Sequence, residues 1–119
     1  MNIILGSSSL SRKKILVNAG LSFKAQKPKI DEEAQKKLYD KTKPGLALYL
    51  AEKKALSIKA NKKDLVIGAD QILLSEGTLF NKPKSLTEAK KHLKRLSNKT
   101  HKLISGTVIV KNNKIVWKH

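Results

Sequence analysis

The stretch from Leu65 to Leu74, LVIGADQILL, constrains this chain more than any other. It is short and almost continuously apolar, which predicts a strand buried on both faces. The interruption by Asp70 and Gln71 is then a chemical question. A carboxylate inside such a strand is desolvated, a costly state unless the charge is paired or the proton kept. Asp70 therefore reads as a proton-accepting base or as an anchor for a metal or for hydrogen bonds. The plain alternative is an aspartate at a strand end that accepts backbone N–H bonds. Gly68 and Ala69, just before it, leave room for a ligand beside the backbone.

Strands and helices alternate around that run. Asn2 to Leu5 reads as a buried strand ending at Gly6, followed by the polar loop Ser7 to Ser9. A helix is expected from Leu10 to Ala19, with Ile15, Leu16 and Ala19 on one face and Gly20 as its C-terminal cap. Phe23 to Gln26 suits a short strand that Pro28 ends. A second helix spans Thr42 to Ile58, with Pro44 in its first turn and Ala47, Leu50, Ala51, Ala55 and Ile58 at core-facing spacing. Ser75, Glu76 and Gly77 signal a turn, Thr78 to Phe80 a return strand, and Pro83 closes it. Leu86 to Leu96 forms a third helix, with Leu86, Ala89, Leu93 and Leu96 inward and Lys90, Lys91, Lys94 and Arg95 outward. Lys102 to Val110 and Lys114 to Trp117 flank Asn112 and Asn113 as a hairpin. The order implies one α/β domain over residues 1–119, a mixed β-sheet flanked by helices. The last hairpin strand is expected to lie at an uncovered edge, which favours dimerisation or aggregation.

Composition narrows the partners. With 26 Lys and Arg against 9 Asp and Glu, the formal charge is +17, a field that attracts polyanions of any kind without choosing among them. The lysines run along the whole chain, as they do on solvated faces. No stretch reaches the roughly 20 apolar residues of a membrane span, and no signal-peptide pattern opens the chain. The absence of cysteine excludes disulfides and thiolate chemistry and fits a reducing compartment, so a cytoplasmic protein with no membrane partner is expected.

Two further groups could carry chemistry. The small residues Gly6 to Ser9 stand between a strand and a helix, where backbone N–H groups and hydroxyls can meet phosphate, and Arg12, one turn on, could clamp it bidentately. No Walker pattern is present, and ordinary helix capping by serine accounts for the same residues. Asp31, Glu32 and Glu33 offer oxygen ligands for Mg²⁺, which takes one or two carboxylates with phosphate and water. From spacing alone, acids placed at a helix N-terminus are the plainer reading of the same triplet.

The ordered runs LGSSSLSR, IDE, LAEKKA, VIGADQ, FNKP and LSNKTHKL, between Ile3 and Val110, resemble the Maf family of nucleoside triphosphate pyrophosphatases. The resemblance implies hydrolysis of a nucleoside triphosphate to a monophosphate and diphosphate, with Mg²⁺ or Mn²⁺ as cofactor. It implies that Ser7, Ser9 and Arg12 hold phosphate oxygens and that Glu32 helps bind the metal. Lys54, not its neighbour Lys53, matches the family lysine of the LAxxKA helix, and Lys82 the lysine before proline; both would neutralise the triphosphate. Asp70 would be the general base. Other branches of the family carry SPRR or SPWR where this chain has Ser9 to Arg12, and threonine or another residue in place of Gln71. Ser11 and Gln71 therefore fall at specificity positions. In a strict strand Asp70 and Gln71 point to opposite faces, so both are expected to line one pocket only if the strand ends or bulges there.

Family members normally continue beyond the last hairpin with further strands and helices, so this chain reads as C-terminally shortened and, alone, weakly active at best. The rival readings are a catalytically dead remnant and a basic nucleic-acid-binding module. The latter has the charge in its favour, and against it an aromatic content of 4% and no recognisable nucleic-acid-binding motif.

Overall fold

The computed structural model describes residues 2–38, 45–75, 78–80, 85–97 and 101–119. In chain order the elements are β1 (Ile3–Leu5), α1 (Leu10–Asn18), β2 (Lys24–Ala25), α2 (Glu32–Leu38), α3 (Leu46–Leu56), β3 (Leu65–Ser75), β4 (Thr78–Phe80), α4 (Leu86–Leu96), β5 (His101–Lys111) and β6 (Lys114–Lys118). They build a mixed sheet of order β2-β1-β3-β5-β6, with β4 pairing β3. Strands β1 and β2 are parallel to their neighbours, and β3, β4, β5 and β6 pair antiparallel. The expected α/β class with a mixed sheet is what forms. Pro44, Glu76, Gly77, Lys82 and Pro83, to which the sequence assigned roles, lie outside the described residues.

β3 and β5 pair along their full lengths, from Leu65 opposite Lys111 to Ser75 opposite His101. Alternate side chains then share a face. Val66, Gly68, Asp70, Ile72 and Leu74 of β3 face α3 together with Ile104, Gly106, Val108 and Val110 of β5. α3 buries Leu46, Ala47, Leu50, Ala51 and Ala55 against them, and Ile58 follows. Apart from Leu46, these are the core positions its spacing predicts.

Two glycines let this helix come unusually close. A Cβ on Gly68 would stand 2.4 Å from the Ala51 carbonyl oxygen, and one on Gly106 would stand 2.6 Å from the Leu48 nitrogen. Gly106 lies directly opposite Asp70. The glycines thus flank the carboxylate and draw the α3 backbone down onto the sheet around it.

The expectation that β3 is buried on both faces needs correction. Its burial alternates, with the face away from α3 half-buried and Gln71 exposed. α4 also differs from its expected packing: Leu86 and Leu93 are 73% and 70% exposed, and none of its residues is buried. Its apolar stripe borders an open cleft instead of a packed sheet. On α1, Ile15 is exposed and no residue is buried.

Local signals act as read. Gly20 adopts φ +77°, and the bonds from Gly20 N–H to the Val17 carbonyl and from Leu21 N–H to the Leu16 carbonyl form a Schellman closure of α1. Asn112 and Asn113, at φ 52° and 59°, form the tight turn between β5 and β6. β6 lies at the edge of the described sheet with Ile115, Val116 and Trp117 exposed.

Candidate functional site

On the side of β3 away from β5, β1 pairs only with Leu65 to Ile67 and β4 only with Leu73 to Ser75. Among the described residues no strand pairs the edge of β3 between them, and a cleft of about 1220 Å³ is lined by Asp70, Gln71 and Ile72 of that stretch. Ser7, Ser9, Ser11, Arg12, Glu32, Lys54, Asp70 and Gln71 all line it. Lys82 lies outside the described residues.

The way Asp70 and Gln71 share this cleft corrects the sequence expectation. β3 neither ends nor bulges at Asp70, because its register with β5 runs unbroken to Ser75. The side chains do point to opposite faces. Both line the cleft all the same.

The loop before α1 is built by serine. Ser9 caps the helix, accepting from the Arg12 N–H at 3.3 Å, in the ordinary capping role. Ser7, buried, accepts from the Ser9 N–H and from Arg12 Nη1, each at 3.1 Å. Arg12 is thereby folded back over the loop, and its guanidinium and the N-terminal N–H groups of α1 border the same space. With no acidic residue in the first turn of α1, the local field there favours an anion.

Across the cleft, Lys54 is the centre. Its ammonium lies 2.8 Å from Asp70 Oδ1 and 2.8 Å from Glu32 Oε1, with the lysine and aspartate side chains 9% and 11% exposed. This pairing supplies the compensation that a carboxylate in a buried strand requires. Lys53 instead points away, its Nζ 5.4 Å from the centre of the Tyr49 ring. Asp31 caps α2 by accepting from the Ala34 N–H at 3.2 Å, which leaves Glu32 in the first turn to reach Lys54. α2 is held against α3 by the Tyr49 hydroxyl donating to Gln35 Oε1 at 2.9 Å. Ser57 ties the preceding loop down as well, accepting from the Lys29 N–H and donating to the Lys54 carbonyl.

Sequence reasoning did not foresee the bridging position of Lys54 or the contact of Gln71 Nε2 with Ser105 Oγ at 3.2 Å. The second needed the β3–β5 register, in which the two residues are direct partners. The cleft also takes in His92 and Leu93 of α4, Leu73 and Leu103. Among the described residues no three His, Asp or Glu side chains converge on a metal position. Glu32 and Asp70 are hard oxygen donors, the type Mg²⁺ or Mn²⁺ takes and zinc does not prefer, and in the structure both are held by the Lys54 ammonium.

No helix among the described residues is long and apolar enough to cross a membrane. The chain is 40% identical over 121 residues to a 7-methyl-GTP pyrophosphatase of Rhizobium meliloti (strain 1021), covering 98% of this chain and 61% of the relative. It is also 40% identical over 119 residues to a nucleoside triphosphate pyrophosphatase of Caulobacter vibrioides, covering 98% of this chain and 60% of that protein. A nucleoside triphosphate pyrophosphatase of Hyphomonas neptunium is 37% identical over 120 residues. The chain thus spans about three fifths of the length of these relatives. The sequence profile of the Maf-like protein family matches residues 2–119. With the serine loop, the buried lysine and the strand carboxylate all in one cleft, and the profile running through each of them, the chain belongs to the Maf-like protein family.

Proposed function

We propose that this chain carries the catalytic cleft of a nucleoside triphosphate pyrophosphatase, a hydrolase that splits its substrate into a nucleoside monophosphate and diphosphate. The observation that carries this reading is Lys54 at 2.8 Å from both Asp70 and Glu32, facing the Ser7–Arg12 loop across one cleft. Ser7, Ser9, Arg12 and the first N–H groups of α1 bind and orient the phosphates, and Lys54 neutralises charge that grows on them. Lys82 is assigned the same neutralising part on its sequence position. Asp70 accepts the proton of the attacking water at Oδ2, since Oδ1 holds Lys54. Glu32, which also lines the cleft, would help hold Mg²⁺ or Mn²⁺. Such an ion, when bound, adds charge neutralisation at the phosphate oxygens. Ser11 and Gln71 both line the cleft and bear on the choice of base.

The relatives are named both for 7-methyl-GTP and for nucleoside triphosphates in general, which supports a nucleotide substrate and leaves the base to experiment. The test is diphosphate release from a panel of nucleoside triphosphates, 7-methyl-GTP included, with Mg²⁺ or Mn²⁺. Asp70→Asn is expected to lower turnover about 100-fold or more while nucleotide binding survives, as loss of a general base does. Near-normal turnover in a clean preparation of that variant would remove Asp70 from the mechanism. Absence of release from every nucleotide would remove the function.

A further inference from the structure

The two sides of β3 do different things. The even-numbered face carries Asp70 under α3, whereas Gln71 emerges on the other face, where it is exposed and lines the same cleft. An exposed glutamine is flexible and makes a poor reader of shape unless something holds it. Ser105, its direct partner on β5, does so: Gln71 Nε2 donates to Ser105 Oγ at 3.2 Å. A serine hydroxyl both donates and accepts, so the tether survives either orientation of the carboxamide. Held in this way, the amide still presents hydrogen-bonding capacity to the cleft, the chemistry that pairs with the edge of a nucleobase.

The next pair on the same face is apolar. Leu73 lies opposite Leu103, which is 63% exposed, and Leu93 of α4, 70% exposed, borders the same cleft. Successive pairs on one face stand roughly 7 Å apart along a strand, so one planar ring can rest on the leucines while its edge meets the amide. Apolar walls with a few placed polar groups are the usual make-up of a small-molecule site. Asp70, with Lys54 beside it and Glu32 beyond, lies on the opposite face of the strand.

We propose that Ser105 is a positioning residue for base selection: it holds the Gln71 carboxamide at the cleft so that this amide reads the edge of the substrate's nucleobase, with Leu73, Leu93 and Leu103 against the ring. This rests on the nucleotide-hydrolase reading above. The test measures binding, so that hydrolysis is not required. Calorimetric affinities of the wild-type chain, Ser105→Ala and Ser105→Thr are compared for α,β-methylene analogues of ATP, GTP, CTP and UTP, and for inorganic tripolyphosphate, which has no base. Ser105→Ala should narrow the spread between best and worst base about fivefold, the worth of one hydrogen bond. Its tripolyphosphate affinity should match the wild type, and Ser105→Thr, which keeps the hydroxyl, should restore the spread. Three results overturn the proposal: an unchanged spread in Ser105→Ala, an equal loss for tripolyphosphate, or a wild-type chain that binds all bases alike or none. The expected binding pattern without diphosphate release from hydrolysable nucleotides would overturn the hydrolase reading alone.

Discussion

Gly68→Ala should damage both stability and chemistry, because the same close approach serves both. The added Cβ would meet the Ala51 carbonyl oxygen at 2.4 Å, the Ala55 Cβ at 2.7 Å and the Ala55 nitrogen at 2.9 Å. Two of these are backbone atoms of a helix and cannot swing aside. Ordinary contact begins near 3.4 Å, so α3 must lift by about 1 Å to accommodate the methyl. Overpacking of this kind costs about 1–3 kcal/mol, which for a domain of this size lowers the unfolding temperature by roughly 4–12 °C. Lys54 adjoins Ala55 on the same helix, so the lift also stretches its 2.8 Å contact with Asp70. Misplacement by an ångström can reduce turnover roughly 100-fold. Circular-dichroism melting and diphosphate release read the two effects separately. Gly20→Ala is the control: at φ +77° with open space around it, it suffers only backbone strain, about 1 kcal/mol, and turnover at a temperature where it is folded should stay normal. Equal melting temperatures and rates for Gly68→Ala and wild type would show that the contact between α3 and the strand is not as close as described.

Lys54→Met leaves Asp70 buried without its cation and should cost about 3 kcal/mol or more in denaturant unfolding; Lys54→Met/Asp70→Asn should recover part of that loss, and strictly additive losses would deny the coupling. Hydrolysis in water enriched in oxygen-18 should place the label in the monophosphate, as attack at the α phosphorus requires; label found only in diphosphate, by mass spectrometry, would refute that point of attack. At the β5–β6 turn, Asn113→Ala should lower stability by about 1 kcal/mol and Asn113→Gly should hold or raise it slightly, both read by thermal melting. No difference between the two would mean that the left-handed conformation at φ 59° is not what the turn demands.

Much of the architecture was legible because its causes are local. Gly20, Ser9 and the Asn112–Asn113 pair each act within a few residues of themselves, and each stands where the sequence put it. The apolar spacing of α3 is legible for the same reason, since a helix period places Ala47, Leu50, Ala51 and Ala55 on one side whatever they meet. α4 shows the limit of that logic. Its stripe is just as regular, yet Leu86 and Leu93 are exposed, because amphipathic spacing says which residues share a face and not whether anything packs against it.

The candidate site divides along the same line. The sequence by itself determined which groups were available: one carboxylate in an apolar strand, small hydroxyl residues before a helix, an arginine one turn on, and an acidic triplet after a proline. Only the tertiary structure decided their company. Lys54 meets Asp70 because Gly68 and Gly106 let α3 settle on the sheet, and Glu32 joins them because Asp31 caps α2 and Gln35 anchors it to Tyr49. Asp70 and Gln71 line one cleft without a bulge, in a stretch of β3 that neither β1 nor β4 pairs among the described residues. Most of these are relations between separate elements of the chain, set by strand register and helix approach, and a local pattern carries no information about either.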